Sequence, residues 1–137
     1  MLYSAQMNGR ELMKLPIASD LLRGNTDTII LARLVAGDNY GYEINKAILQ
    51  RTGQRYELKE ATLYSAFRRL ESSGCITSYW GDEQTGARRR YYHLTDMGRE
   101  TYRSLLREWD TAKDMIDSLI QTGDERMQTE GEENSGG

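Results

Sequence analysis

One cysteine, one histidine, one proline and no long apolar run narrow this 137-residue chain before any motif is read. Cys75 has no partner for an intrachain disulfide; at the start of an expected strand it reads as a small buried hydrophobe, with a redox-sensing thiol as the alternative. His93 sits on an expected strand among aromatics, with no Cys/His/acid spacing around it, so no metal site is expected. No glycine-rich phosphate loop and no nucleophile–base–acid set is present, so the chain reads as neither an enzyme nor a cofactor protein. No stretch approaches the roughly 18 apolar residues of a membrane span. Met1-Leu-Tyr-Ser-Ala5 lacks the basic start and apolar core of a secretion signal, which makes a reducing cytoplasm the expected setting. At 38% apolar residues the chain can fill one modest core, and domains of this size often gain stability by association.

The most informative stretch runs from Lys59 to Gly74. Leu63, Phe67 and Leu70 recur at four and three residues, one stripe of a 3.6-residue helix. Ala61, Ser65, Arg68, Arg69 and Ser72 fall on the opposite side, with Tyr64 at the border, and Gly74 stops the helix. Short side chains let a backbone approach the major groove of DNA closely, while arginines reach guanine edges or phosphates. A solvated amphipathic helix that binds nothing has the same pattern. The runs that follow favour nucleic acid: Cys75-Ile-Thr-Ser-Tyr-Trp80 and Arg88-Arg-Arg-Tyr-Tyr-His-Leu94 are β-branched and aromatic, and Gly81 to Gly86 between them is turn chemistry. A helix feeding a hairpin is the layout of a winged helix. Arg88 and Arg90 point to one side of their strand and Arg89 to the other, free to meet phosphate or, alternatively, guarding a sheet edge.

Gly41-Tyr-Glu-Ile44, Ala61-Thr-Leu-Tyr64, Phe67-Arg-Arg-Leu-Glu71, Gly74-Cys-Ile-Thr-Ser-Tyr-Trp80 and Arg89-Arg-Tyr-Tyr-His-Leu-Thr95 occur in this order. The chain so resembles a PadR-family transcriptional regulator, and is similar in particular to the branch with a short C-terminus that includes multidrug-responsive repressors. The resemblance runs from about residue 22 to residue 120. It implies a mainly α fold with a small β-wing, a winged helix-turn-helix followed by a long C-terminal dimerisation helix. It also implies a homodimer that represses genes by binding pseudo-palindromic double-stranded operators. One departure is Lys59-Glu60, where many members carry Ser-Pro; lysine is a poor N-cap. The expected DNA-contacting set is Tyr42 and Lys46 on the preceding helix, Lys59, Ala61, Thr62, Tyr64, Ser65, Arg68 and Arg69 on the recognition helix, and Arg88, Arg89 and Arg90 on the wing.

The net charge of −3 looks wrong for a DNA binder until it is divided along the chain. Residues 38–103 hold 11 basic and 9 acidic side chains, residues 104–137 hold 3 and 9, and residues 1–37 hold 4 and 3. The acid therefore lies away from the expected reading surface. The expected organisation is a flexible arm at 1–15, the winged helix-turn-helix at 16–94, a dimerisation helix at 95–122 and a disordered acidic tail at 123–137. Within the second part, a helix starts at Pro16 and ends near Gly24. Asn25 or Thr26 caps an apolar central helix at 27–36, residues 37–41 turn, and a further helix reaches Arg51 with Ile44, Ala47 and Ile48 inward.

Thr95 can cap the last long helix, whose first turn Gly98 weakens and which Gly123 ends. Tyr102, Leu105, Trp109, Ala112, Ile116 and Leu119 recur at three and four residues, the seam of a coiled coil. Burial against a twin subunit is the simplest use of such a stripe; packing on its own winged helix is the other. In the multidrug-responsive branch a tryptophan at the place of Trp109 stacks planar ligands across the dimer axis. Lys113 stands one turn later, where that branch can offer an acid, and Asp27, Glu108 and Asp110 either compensate or are simply solvated. The expected partners are thus operator DNA, a second copy and a small planar aromatic ligand, with no membrane. A winged-helix protein-interaction module and a ligand-independent DNA-binding regulator are the alternatives.

Overall fold

The computed structural model describes residues 16–82 and 88–135; the expected arm at 1–15 and residues 83–86 of the hairpin turn lie outside them. Helices α1 (Pro16–Arg23) and α2 (Thr26–Val35) precede a short strand β1 (Asn39–Tyr40) and helix α3 (Gly41–Arg51). Helix α4 (Glu60–Ser72), strands β2 (Ile76–Trp80) and β3 (Arg90–Leu94) and helix α5 (Asp96–Ser135) follow. This is the expected mainly helical chain with a small β-wing.

The core forms where the apolar stripes converge. Ile30, Leu31 and Leu34 of α2, Ile44 and Ile48 of α3, and Leu63, Ala66, Phe67 and Leu70 of α4 are all buried, together with Ile76, Tyr92 and Leu94 of the sheet. Phe67 stacks on Tyr92 with ring centroids 3.8 Å apart, which joins the inner face of α4 to the middle strand. The sheet is antiparallel in the order β1-β3-β2, with Asn39 opposite Tyr92 and Ile76 opposite Leu94. Residues 39 and 40, expected in a turn, are therefore a third strand. Two residues are too few to show an alternating pattern, and only β3 beside them makes them a strand.

Helix ends are set by specific bonds. Asn25 stands at the N-cap of α2 but makes no capping bond, contrary to expectation. Its Nδ2 donates to Leu21 O at 2.9 Å and the Thr26 hydroxyl donates to Arg23 O at 2.7 Å, so both side chains close α1 instead of opening α2. Between α3 and α4 the side chain of Asn45 acts like a strand partner. Its Nδ2 donates to Leu58 O at 2.7 Å and its Oδ1 accepts from Leu58 N at 2.8 Å, which fixes the approach to α4. Lys59 caps α4 without a side-chain bond. At the other end Gly74 N donates to Glu71 O and Cys75 N to Leu70 O, while Gly74 takes a φ of +81°. These are the two bonds of a Schellman motif, and they turn the chain directly from α4 into β2.

Thr95 caps α5 as expected: its Oγ1 accepts from Gly98 N at 3.0 Å and its hydroxyl donates to Gly74 O at 2.6 Å. Gly98 is more than a weak point in this turn. A Cβ there would lie 2.1 Å from Cys75 O and 2.6 Å from Leu94 Cδ1, so the bare glycine is what lets α5 start against the sheet.

Two expectations about α5 need correction. The helix runs unbroken through Gly123 to Ser135, so residues 123–135 are helical and not a disordered tail. An interior glycine costs only about 1 kcal/mol relative to alanine, and no proline follows to stop the helix. The chain also separates into compact units at residues 102 and 103 and not at 94, because the first turns of α5 belong to the winged helix through Gly98 and Thr101. Residues 103–135 of α5 form the second unit. Among the described residues no helix is long and apolar enough to cross a membrane.

Candidate nucleic-acid interface

The face of α4 opposite its buried stripe carries Ala61, Tyr64, Ser65, Arg68, Arg69 and Ser72, all exposed, with Thr62 half-buried at its edge. Tyr64 leans edge-on against Phe67, centroids 5.6 Å apart, and its hydroxyl lies 3.1 Å from the place a Cβ would take on Gly41. The glycine that opens α3 thus makes room for the border tyrosine of α4. Beside them on α3, Tyr42 and Lys46 are exposed as expected, Tyr42 with 70% of its surface accessible.

Of the three wing arginines only Arg90 lies within β3; Arg88 and Arg89, expected on the same strand, precede it, yet the three still alternate in side. Arg88 and Arg90 lie over the Trp80 ring at 5.1 and 5.9 Å, and Arg89 lies over Tyr40 at 4.8 Å. Each aromatic face attracts the guanidinium above it and limits the directions in which it can extend. Arg90 is held further. Its Nη2 donates to Ser78 Oγ at 2.8 Å and stands 3.6 Å from Glu71 Oε2, while the Ser78 hydroxyl donates to Glu71 Oε1 at 2.8 Å. The last turn of α4 is in this way tied to both wing strands.

A cleft of about 660 Å³ runs between the helix and the wing, lined by Tyr42, Tyr64 and Arg68 on one side and Arg88, Arg89 and Arg90 on the other. Six of the twelve expected contact residues therefore meet in one place. Ala61, Thr62, Ser65 and Arg69 line a shallower hollow on the other flank of α4, with Arg23 of α1. Lys59 is exposed at the start of the helix, next to Arg23 and Arg55. Sequence reading did not include Arg23 and Arg55 in the set, since nothing local in their segments marks them as neighbours of α4.

Three interactions around this surface were not foreseen. Arg69 is ion-paired with Asp27 of α2, which raises the arginine's pKa chiefly through the hydrogen bond between them. Asp27, expected beside a ligand tryptophan, thus has both carboxylate oxygens engaged by Arg69. On the outer face of the sheet Tyr79 donates to Asp38 Oδ2 at 2.6 Å, and His93 Nδ1 is 2.7 Å from Asp38 Oδ1. These bonds, that from Tyr79 first, hold the Asp38 carboxyl below its ordinary pKa, and the same bond pushes the Tyr79 phenol up. Arg68 differs from its neighbours: among the described residues no acid pairs with it.

In the second unit the expected seam leaves much apolar surface uncovered. Tyr102, just before it, Leu105 and Trp109 are half-buried, whereas Ala112, Ile116 and Leu119 are exposed, Leu119 to 75%. Leu106, Met115 and Ile120 are exposed as well. Lys113 reaches Asp110 across one turn, Nζ to Oδ1 3.6 Å. Among the described residues no group of three or more His, Cys, Asp or Glu side chains is placed to hold a metal ion.

Comparison with known proteins gives the chain its relatives. The model of the PadR-like family of transcriptional regulators matches residues 30–104. A transcriptional regulator from Clostridium thermocellum is 49% identical, with a TM-score of 0.68 over 73% of this chain and 94% of its own. A PadR family transcription regulator from Clostridium difficile is 37% identical, with a TM-score of 0.61 over 70% of this chain and 98% of its own. The PadR protein of Bacillus subtilis, solved in complex with operator DNA, is 28% identical, with a TM-score of 0.53 over 58% of this chain and 45% of its own. An uncharacterised protein of Lysinibacillus sphaericus is 41% identical over 105 residues, 77% of this chain and 96% of its own.

Proposed function

This chain belongs to the PadR-like family of transcriptional regulators, and from that premise we propose that it is a homodimeric repressor that binds pseudo-palindromic operator DNA and is released by a planar aromatic ligand. The family is one of regulators, not of enzymes. The observation that carries the reading is the cleft in which Tyr64 and Arg68 of α4 face Arg88, Arg89 and Arg90 of the wing. Helix α4 enters the major groove with its small residues against the bases, Arg68 reaches a base edge, and the wing arginines, with Tyr42 and Lys46, hold the flanking phosphates. The operator-bound relative from Bacillus subtilis supports this arrangement by likeness of fold.

Dimerisation rests on α5. A lone helix with Met115, Ile116, Leu119 and Ile120 open to water gains nothing from their burial, and a twin helix covering them is the simplest remedy. Two-fold symmetry then presents two copies of α4 to half-sites about 34 Å apart. Trp109, half-buried on the same helix, offers a π face for stacking, and Lys113 one turn on, paired with Asp110, leaves little charge bias against cations. A ligand releases DNA only if it binds differently to the two separations of the reading helices.

Selection of bound sites from random DNA tests binding, symmetry and spacing together. The expected product is an inverted repeat with centres one helical turn apart. Purified protein that retains no fragment even at low salt would falsify the reading, and a partner helix on the α5 stripe would then be the better account of that surface. For the ligand, a Trp80→Phe background isolates Trp109 fluorescence; a dye panel that leaves its emission unchanged removes Trp109 from the ligand site.

A further inference from the structure

The pair formed by Arg69 and Asp27 has a direction. Arg69 Nε donates to Asp27 Oδ2 at 3.5 Å and Nη2 donates to Asp27 Oδ1 at shorter range. The carboxylate therefore lies along one side edge of the guanidinium. A guanidinium carries five N–H donors in a planar fork. With the side edge engaged, the end edge formed by Nη1 and the second N–H of Nη2 remains available. That end edge has the spacing that fits O6 and N7 of a guanine in the major groove.

The two residues are 42 positions apart and stand on different helices, so Asp27 acts as a fixed buttress in the core-anchored α2, whose Ile30, Leu31 and Leu34 are buried. Both groups remain open to solvent, with 56% of the arginine side chain and 35% of the aspartate accessible, so a ligand can still reach Arg69. Around the pair, the small residues Ala61, Thr62 and Ser65 of α4 line an open hollow together with Arg69 and with Arg23 of α1. A free arginine on a helix samples many rotamers and binds phosphate as readily as base. One held at its side edge has lost most of that freedom before it meets DNA.

We propose that Asp27 is a positioning residue for base recognition: it holds Arg69 side-on so that the free end of the guanidinium reads one guanine in each half-site. The proposal rests on the operator-binding reading above and adds a second base-reading arginine beside Arg68. It also explains an acid at the edge of a DNA-facing surface, where a carboxylate alone would repel phosphate.

The test compares wild-type protein with Asp27→Ala and Arg69→Lys, each put through site selection from random DNA and then titrated with the wild-type site and with a scrambled duplex. Both variants should lose preference at the same base pair of each half-site. Affinity for the wild-type site relative to the scrambled duplex should fall roughly 5- to 150-fold, the range of one lost bidentate pair. A folding defect lowers affinity for every sequence and leaves the preference profile intact, so the profile separates positioning from stability; Arg69→Lys keeps the charge and sits on the surface. An unchanged profile in Asp27→Ala overturns the proposal while leaving operator binding in place, whatever Arg69→Lys does. So does an Asp27→Ala protein that binds all DNA more tightly with the same preferences, since Asp27 would then only neutralise Arg69. Wild-type protein that selects no site overturns the operator reading and this proposal with it.

Discussion

Arg68 and Arg69 are adjacent in sequence yet stand in opposite circumstances, one without an acid partner among the described residues and the other fixed by Asp27. Their pattern on the helix was legible from the spacing of Leu63, Phe67 and Leu70, but the pairing was not, because nothing local to Arg69 records an acid 42 residues earlier. Arg68→Ala should cost about 1–3 kcal/mol against the preferred site and relax one base position. Arg89→Ala should weaken binding to all sequences alike and reduce the slope of log affinity against log salt by about 1. Gel shifts at several salt concentrations check both, and identical behaviour of the two variants removes this division of roles. Asp38 makes a prediction of another kind. Its folded-state pKa is depressed by Tyr79 and His93, so the stability it adds is present above the ordinary carboxylate value near 4 and is lost as pH falls through the lower folded value. Asp38→Asn should therefore melt with a shallower decline between about pH 5 and pH 2 than wild type; parallel curves of Tm against pH would show that the bonds to Asp38 contribute no such term.

At the scale of elements, α2, α3, α4 and the two wing strands follow apolar spacing and turn residues that can be counted along the chain. What escaped such counting depended on a partner elsewhere. The strand β1 exists because Tyr91 and Tyr92 lie beside it, and Asn45 marks the helix-turn-helix only through Leu58, 13 residues on. Gly123 misled for a different reason: glycine and an acidic composition are signals of a helix end, but they are weak ones, and the residues after it favour helix enough to continue. Gly98 shows how a residue read as a local weakness can be a packing requirement. Gly98→Ala should destabilise the winged helix by about 1–3 kcal/mol, the usual cost of forcing atoms into a filled space, despite alanine's better helix propensity. Urea unfolding measures it, and a more stable variant would mean that α5 can shift away from Cys75 at little cost.

For the molecule as a whole, the proposed dimer makes the acidic, apolar-striped helix and the basic reading surface interdependent. Ile116→Glu with Leu119→Glu places four like charges in a paired seam, and light scattering should then report monomers where the wild type gives dimers. Operator affinity should fall by far more than either half-site contact explains, because the second reading helix no longer benefits from the binding of the first. An unchanged mass would instead assign the stripe to some other contact. The seam was readable in the sequence because its three- and four-residue steps need no tertiary information; its occupant was not, since a twin and a foreign helix present the same demand.

The bridge of Glu71, Ser78 and Arg90 couples the end of α4 to both wing strands. On the proposed docking, the helix and the wing arginines then behave as the two jaws of a caliper with a set gap. Such a tool gauges the width of the DNA between bases and flanking backbone, and a duplex too stiff to adopt that width is refused even where every contacted base is correct. Cutting the bridge with Glu71→Gln would loosen the gauge, and the sequences first admitted should be those differing at positions no side chain touches.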